Sequence, residues 1–110
     1  MENCIFCKIA KREIPKEFTY EDENVMVFPD IHPVRPVHLL VVPKEHIEEL
    51  IAVKNPEIFE KLLLVVQKMI KEHGLTKKGY RVSLNGGGAQ VVPHLHIHIM
   101  GPMTKTAVMG

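Results

Sequence analysis

His94-Leu95-His96-Ile97-His98-Ile99-Met100, residues 94–100, places three histidines on alternate positions with aliphatic residues between them. Successive side chains of a β-strand point to opposite faces, so this alternation predicts a strand with three imidazoles on one face and apolar side chains on the other. A single histidine, or even two, would fit an ordinary half-buried strand. Three in succession indicate a face with a chemical function, and the apolar face is predicted to be core.

Size and composition are those of one globular domain, 1–110, in which we expect residues 103–110 to form a loosely ordered tail. The chain is 45% hydrophobic and 25% charged, so disorder is not indicated. Its formal net charge is +1, with Lys and Arg spread along the sequence, and this excludes an electrostatic footprint for nucleic acid. The start shows no basic region followed by an apolar run, and no stretch is long and apolar enough to cross a bilayer. We therefore expect a cytoplasmic protein without a nucleic-acid or membrane partner.

Five strands and one long helix are predicted from periodicity and end signals. The strands are expected at 18–20, 25–28, 38–42, 80–84 and 94–100. For the helix, Asn55 is the predicted N-cap, Pro56 the first helical residue, and Gly74 follows the last turn. Its predicted buried stripe contains Ile58, Phe59, Leu62, Val66, Met69 and Ile70. With a short N-terminal helix at 4–11, we expect an α+β fold whose largely antiparallel five-stranded sheet carries the long helix on one face.

Two loops precede the strands that carry histidines. Three prolines stiffen residues 29–36 and can hold Asp30 in place. The glycines at 86–88 can expose consecutive backbone N–H groups as an anion-binding concavity, although a flexible hairpin loop is the alternative. This glycine loop lacks the Gly-Lys-Ser/Thr ending of a P-loop and leads into a strand, so a nucleoside triphosphatase is disfavoured.

The histidine strand is compatible with two chemical schemes. In one, the imidazoles jointly bind a catalytic metal with an open coordination position. In the other, one imidazole is a nucleophile and its neighbours hold the transferred group. Cys4 and Cys7 are the only cysteines, and in a reducing compartment this pair favours a metal site or a redox motif over a structural disulfide.

Several segments together resemble one known family, the histidine-triad (HIT) family, and within it the Hint-like branch. The matching residues are Ile5-Phe6-Cys7-Lys8-Ile9, Glu13-Ile14-Pro15, Phe28-Pro29-Asp30-Ile31, Pro36-Val37-His38, Val42-Pro43-Lys44-Glu45-His46-Ile47, Gly79-Tyr80-Arg81 and residues 90–101. This resemblance covers nearly the whole chain. It implies a homodimer with a sheet extended across the interface, and hydrolysis of phosphoramidate or phosphoanhydride derivatives of purine nucleotides. A dinucleoside polyphosphate hydrolase and a nucleotide-binding module with little turnover are the alternatives.

The resemblance also implies roles for the residues around the triad. His96 corresponds to a nucleophile that forms a covalent nucleotidyl-histidine, and His98 to a donor for phosphate and leaving group. Asn85 would hold a phosphate oxygen, and His38 completes the histidine cluster. The N–H groups of Ala89, Gln90 and Val91 would complete the phosphate cradle. Many Hint proteins carry a serine where this chain has Val91, which puts the phosphoramidase rate in doubt.

A nucleoside site is implied next to the phosphate site. Asp30 resembles the acid that accepts from both ribose hydroxyls, although it could instead cap a turn. The apolar slot for the base would be lined by Ile5, Phe6, Ile9, Phe28 and Ile31. Ordinary core is the alternative for these five residues, because aliphatic spacing does not distinguish core from ligand contact.

A metal site is implied at the N-terminal cysteine pair. Some HIT relatives, and the related galactose-phosphate uridylyltransferases, complete such a pair with a mid-chain histidine and the first histidine of the triad. In this chain the four ligands of a structural zinc would be Cys4, Cys7, His46 and His94. The family implies no organic cofactor. His32 and His73 are predicted to lie outside the site, on the surface and at a helix end.

Overall fold

A computed structural model describes residues 3–105 and confirms the predicted antiparallel α+β fold. Its elements are α1 (Ile5–Ala10), β1 (Tyr20–Glu21), β2 (Val25–Pro29), β3 (Val37–Pro43), a 3₁₀ turn (Leu50–Ala52), α2 (Glu57–Glu72), β4 (Arg81–Ser83) and β5 (Ile97–Gly101). Of the predicted tail, Met103 is held through its N–H by the carbonyls of Lys78 and Gly79, and 106–110 lie outside the described residues. Neither α1 nor α2, the α-helices of 3–105, has the length and apolar character that a bilayer-crossing helix requires.

The sheet has the order β1-β2-β3-β5-β4, and every neighbouring pair is antiparallel. Alternation sorts the strand residues onto two faces. On β2, Val25 and Val27 join the core under α2, whereas Met26 and Phe28 join a second cluster under α1. The sheet therefore separates a large apolar core from a smaller cluster, and the histidine-bearing face is the one covered by α1.

The long helix begins one residue later than predicted, at Glu57. Pro56, predicted as the first helical residue, is instead the N-cap and makes no side-chain cap hydrogen bond. Asn55, the predicted N-cap, lies one residue earlier, where its Oδ1 accepts a hydrogen bond from the Glu57 N–H at 3.1 Å. The buried stripe of α2 consists of Leu62, Val65, Val66, Met69 and Ile70, with Ile58 and Phe59 only partly buried at its start. Val65 is an addition to the predicted stripe. The neighbouring Leu63 and Leu64 are exposed on the opposite side of the helix.

The last strand is shorter than predicted, since it begins at Ile97 and not at His94. Val41 pairs with Ile97 in the β3–β5 register, so Pro43 would come opposite Leu95 if the ladder continued. Proline has no N–H to donate, and the regular ladder ends there. The Leu95 N–H instead donates to the Ile47 carbonyl at 2.6 Å. The predicted alternation of faces extends beyond the N-terminal end of the strand, because Leu95 is fully buried in the core with Ile97 and Ile99.

Candidate functional site

A cavity of about 420 Å³ opens on the α1 side of the sheet. Its walls are formed by Ile5, Phe6, Ile9, Lys16, Phe28, Pro29, Asp30, Ile31, His32, Val34, His38, Leu40, Asn85, Val91, Val92, His96 and His98. All four residues predicted to be catalytic contribute to this wall, as do Asp30, Val91 and the five apolar residues predicted for the base slot. The geometry therefore brings together most of the predicted site.

His96 is held in one tautomer by the backbone. Its Nδ1 lies 2.7 Å from the His94 carbonyl oxygen. A carbonyl oxygen can only accept, so Nδ1 carries the proton and Nε2 of the neutral ring keeps a free lone pair. The ring is buried, with the Phe6 ring edge-on at 5.3 Å between centroids. An imidazole fixed in this way has the protonation state that a nitrogen nucleophile requires.

His38 fixes the protonation of His98 in a similar way. The Val34 N–H donates to His38 Nδ1 at 3.2 Å, so the neutral His38 ring carries its proton on Nε2. That Nε2 lies 3.0 Å from His98 Nδ1 and 3.3 Å from Asp30 Oδ2. A hydrogen bond from His38 to His98 Nδ1 leaves the His98 proton on Nε2, where the ring can act as a donor.

His98 is favoured in its neutral form. Burial lowers its pKa from the ordinary value, and the nearby His96 and His38 lower it further. Asp30 acts in the opposite direction, with Oδ2 at 4.0 Å from His98 Nδ1. The neutral ring suits a donor that must keep one N–H and carry no permanent charge.

Asp30 divides its two carboxylate oxygens between two tasks. Oδ1 accepts from the His32 N–H at 2.8 Å, which is the turn-capping role considered as an alternative for this residue. Oδ2 faces His38. Each carboxylate oxygen has more than one lone pair, so these contacts leave capacity for further donors from the cavity.

The apolar wall of the cavity contains both core and exposed residues. Phe6 and Phe28 pack edge to face with centroids 5.6 Å apart, and with Ile9 they are buried in the cluster under α1. Ile5 and Ile31 are exposed, the latter to 73%. Phe6, Ile9 and Phe28 are thus core residues that also line the site, because their side chains form the floor of the cavity.

Some wall residues were missing from the sequence prediction, namely Lys16, Pro29, His32, Val34, Leu40 and Val92. Lys16 places its Nζ 5.1 Å from the centre of the Phe28 ring. No periodicity or motif marks this lysine in the sequence. His32 is exposed, as predicted, but it also lines the cavity, and its place in the stiffened loop beside Asp30 was the available signal.

The glycine loop differs from the anion-binding concavity that its sequence predicts. The Gly87 N–H donates to Glu49 Oε1 at 2.8 Å, and the Ala89 N–H donates to the Gly86 carbonyl at 3.1 Å. The Gln90 side chain donates to the Glu48 carbonyl at 2.9 Å. Neither Ala89 nor Gln90 forms part of the cavity wall. The loop is thus packed against the protein through several of its donors, and its ends contribute Asn85 and Val91 to the cavity.

A second cluster lies next to the cavity and contains the four predicted metal ligands. Cys4 Sγ, Cys7 Sγ, His46 Nδ1 and His94 Nδ1 all lie within 4.8 Å of one another. His94 Nδ1 is 3.3 Å from Cys4 Sγ and 3.6 Å from Cys7 Sγ, and His46 Nδ1 is 3.1 Å from Cys7 Sγ. Ligand atoms around a tetrahedral zinc are separated by about 3.3–3.8 Å, from the Zn–N and Zn–S lengths. This group could hold a metal ion, and its donor set and spacing fit zinc.

Protonation in this cluster also suits a cation. His94 Nε2 donates to the Pro43 carbonyl at 2.8 Å, so Nδ1 has its lone pair free toward the sulfurs. Burial lowers the pKa of His94 to about 4, and burial followed by the neighbouring Cys4 raises the pKa of Cys7 to about 11. The His94 ring is neutral at pH 7, and the Cys7 thiol needs a bound cation to become a thiolate. Asp30, His38 and His98 form another group whose ligand atoms lie as close together.

Comparison with known proteins gives consistent matches. The family model for the HIT domain matches residues 11–105. A HIT family hydrolase from Legionella pneumophila Philadelphia 1 superposes with a TM-score of 0.88 at 40% identity, covering 98% of this chain and 100% of that one. A histidine triad nucleotide-binding protein from Candida albicans gives a TM-score of 0.81 at 36% identity, covering 88% and 73%. The 14 kDa zinc-binding protein of Zea mays is 43% identical over 107 residues, which are 88% of this chain and 80% of the maize protein.

Proposed function

This chain belongs to the HIT family, and we propose that it hydrolyses purine nucleotides joined to an amine or to a further phosphate, with His96 as the nucleophile. Family membership and the named relatives support a nucleotide-binding hydrolase. The observation that carries the finer proposal is the 2.7 Å hydrogen bond from His96 Nδ1 to the His94 carbonyl, because in the neutral ring of this cavity-wall residue it assigns the free lone pair to Nε2.

The proposed reaction has two displacements at the α-phosphorus. In the first, the His96 Nε2 lone pair forms a bond to phosphorus while the bond to the leaving group breaks, and the leaving atom takes a proton. His98, with its proton on Nε2, is proposed to donate hydrogen bonds to the leaving atom and to phosphate oxygens, while the proton that the leaving atom takes comes from solvent water. In the second, water adds to phosphorus, the P–N bond breaks, and nucleoside monophosphate leaves with His96 restored. Two moderate barriers thereby replace one high barrier.

His38 and Asp30 are proposed to act through His98. The hydrogen bond from His38 Nε2 to His98 Nδ1 keeps the His98 proton on Nε2, and Asp30 stabilises positive charge that develops on either ring. Asp30 also has lone pairs left for a ribose hydroxyl. Asn85, in the same wall, would hold a phosphate oxygen together with the N–H group of Val91.

A planar base fits the apolar end of the cavity. Phe6, Ile9 and Phe28 supply its floor, while Ile5 and Ile31 flank it with exposed aliphatic surface. Large aromatic bases gain most from such a slot, because they bury the most apolar and π surface. A purine is therefore the proposed base.

The second cluster is proposed to bind a structural zinc. The maize relative is named a zinc-binding protein, and the two cysteines and two histidines here have the donor types and spacings of a closed tetrahedral site. When bound, zinc would neutralise the thiolates and cross-link the start of α1 to the residues that precede β5. A reducing compartment such as the cytoplasm, which we propose as the location, would keep both thiols available.

We propose a homodimer formed by β4 and α2. β4 is an edge strand of the sheet. Val82 in this strand and Tyr80 directly before it are exposed. Leu63 and Leu64 expose further apolar surface on α2. A second copy would pair with the open edge and cover this surface. Sedimentation analysis should give a dimer for the native chain and a monomer for Leu64→Glu, and a monomeric native chain would contradict the proposal.

The mechanism is tested by trapping nucleotide on the protein. After brief incubation with a radiolabelled adenosine or guanosine phosphoramidate and acid-free denaturation, the native chain should carry label and His96→Ala should carry none. Equal labelling of both proteins would exclude His96 as the nucleophile. Aminoacyl adenylates and dinucleoside polyphosphates, assayed in parallel, would define the leaving group.

Two controls separate the remaining alternatives. Nucleotide affinity with turnover equal to that of His96→Ala would instead support a binding module. Abrupt loss of activity on chelation, with the fold intact, would favour a catalytic metal at the triad, whereas loss accompanied by unfolding fits structural zinc.

A further inference from the structure

A short segment that follows the predicted ligand His46 supports the whole glycine loop. Residues 47–49 make three hydrogen bonds to residues 86–95. The Ile47 carbonyl accepts from the Leu95 N–H, the Glu48 carbonyl accepts from the Gln90 side chain, and the Glu49 carboxylate accepts from the Gly87 N–H at 2.8 Å. The first two contacts use backbone carbonyls, which any residue would supply. Among residues 47–49, only Glu49 makes its contact through a side chain.

The glycine turn is shaped around the Glu49 carboxylate. A Cβ added to Gly86 would lie 2.8 Å from Glu49 Oε1, so a side chain at this position would displace the carboxylate, which is the free end of a flexible side chain. Gly87 and Gly88 follow with φ angles of +62° and +91°, a region in which L side chains are strained. The three glycines thus give close access to the carboxylate and then reverse the chain. Glycine also makes this turn intrinsically flexible, so a specific contact is needed to select one conformation.

We propose that Glu49 is a positioning residue for the hydrolytic reaction, and this inference rests on the function proposed above. The carboxylate accepts a charge-assisted hydrogen bond from Gly87 and holds the glycine turn in one conformation. Asn85 lies directly before the turn and Val91 shortly after it, and both belong to the cavity wall. Fixing the turn therefore fixes the two ends of the loop that face the reacting phosphate. Small displacements of groups around a reaction centre reduce rates steeply, because orientation contributes much of the acceleration.

This assignment gives the glycines a role different from direct phosphate binding. The Gly87 N–H is occupied by a carboxylate of the protein itself, and the glycines are absent from the cavity wall. A phosphate competing for that N–H would have to displace Glu49 and would meet its negative charge. Glu49 thus supports the loop from behind, and substrate is expected to contact the ends of the loop.

The experiment compares three variants of the full chain. Glu49→Ala removes the acceptor, Glu49→Gln keeps a neutral side-chain oxygen, and Glu45→Ala removes an exposed carboxylate from the same stretch as a control. Two quantities are measured: steady-state kcat and KM with a nucleoside phosphoramidate, and hydrogen exchange of the Gly87 amide by NMR without substrate. A merely structural role of Glu49 would alter the melting temperature without a selective change in kcat.

For Glu49→Ala we expect kcat to fall about tenfold with KM nearly unchanged, which corresponds to loss of about one hydrogen bond's contribution to the transition state. The Gly87 amide should exchange at least about tenfold faster, since its acceptor is gone. Glu49→Gln should recover most of kcat and of the protection, and Glu45→Ala should behave like the native chain.

Native kcat in Glu49→Ala would overturn the positioning role, and so would a rise in KM alone. Unchanged exchange of the Gly87 amide would overturn the contact itself. A native chain that turns over no nucleotide conjugate would contradict the proposed function and the catalytic part of this inference, while the exchange measurement would still decide whether Glu49 holds the turn. The two failures are therefore distinguishable.

Discussion

Two neighbouring histidines of the same extended stretch are held in opposite ways. His94 donates from Nε2 to the Pro43 carbonyl and leaves Nδ1 free toward the cysteine sulfurs. His96 donates from Nδ1 to the His94 carbonyl and leaves Nε2 free. In each case a backbone carbonyl accepts a hydrogen bond from one ring nitrogen and thereby determines which nitrogen keeps a free lone pair. One residue type on one alternating face is thus divided, by the choice of ring nitrogen, between the proposed metal site and the proposed reaction at phosphorus.

The surroundings of the two histidine clusters differ as well. The cluster that could hold a metal is closed, with His94 fully buried and its four potential ligand atoms within 4.8 Å of one another. The cavity cluster is open, because His96 and His98 line a space of about 420 Å³. A closed donor set favours a structural ion, and an open set leaves room for a substrate. Changes in the first cluster should therefore affect stability, and changes in the second should affect turnover.

The largest effect is expected when His94→Ala is compared with His96→Ala. His94→Ala should remove most of the bound metal and lower the free energy of unfolding by several kcal/mol, because metal binding and folding are coupled. His96→Ala should keep the metal and lose only about 1 kcal/mol through one hydrogen bond and some packing. Metal content per chain and thermal unfolding measure both effects. Equal losses in the two variants would contradict the division of labour.

His38→Ala should have the next largest effect, and only on turnover. Without His38 Nε2 as a donor, the His98 proton is free to occupy either nitrogen. We expect kcat to fall by roughly tenfold, the scale of one lost hydrogen bond to a reacting group, with metal content unchanged. A loss of metal in His38→Ala would show that the two clusters are not separate.

Part of this arrangement could be predicted from sequence, because it depends on residues that lie close together in the chain. The alternation of residues 94–100 predicted which side chains share the core, and the start of the long helix was predicted to within one residue, with Pro56 and not Asn55 at the N-cap. The β3–β5 ladder ends early because Pro43 lacks an N–H, and this effect is predictable only when the register that brings Pro43 opposite Leu95 is known. The grouping of Cys4 and Cys7 with His46 came from family resemblance, since spacing alone does not indicate which histidine folds onto a cysteine pair.

Other parts of the site lacked a sequence signal. Lys16 belongs to no periodic pattern, and its Nζ comes to lie over the ring of Phe28, which is distant in the sequence, only through tertiary packing. The bond between Glu49 and Gly87 joins residues 38 positions apart through a carboxylate that resembles any surface glutamate. Such contacts arise from tertiary packing, which residue type and spacing do not encode.

Acidification should test whether the folded chain disfavours protonation of His98. Its folded pKa lies below the ordinary value of 6.5, so as pH falls through 6.5 the unfolded chain takes up a proton before the folded chain does. The free energy of unfolding should therefore decrease on going below this pH, while above it His98 contributes no pH dependence. Urea unfolding at pH 7.5 and 5.5 should show a smaller decrease for His98→Gln than for the native chain. Equal decreases would mean that the cavity does not disfavour the charged ring.

The smallest effect, and the most selective one for the open cluster, is expected from Val91→Ser. Val91 is 95% exposed and lines the cavity, so the substitution should change the free energy of unfolding by less than about 0.5 kcal/mol. The added hydroxyl can donate to a phosphate oxygen or to the leaving amine, and turnover of a phosphoramidate should rise by less than about tenfold. Unchanged turnover would show that this hydroxyl is not what limits the reaction. A change in metal content would have a larger consequence. It would show that the loop from Asn85 to His94 transmits changes in the cavity to the closed cluster, and it would contradict the view that the two clusters are separate.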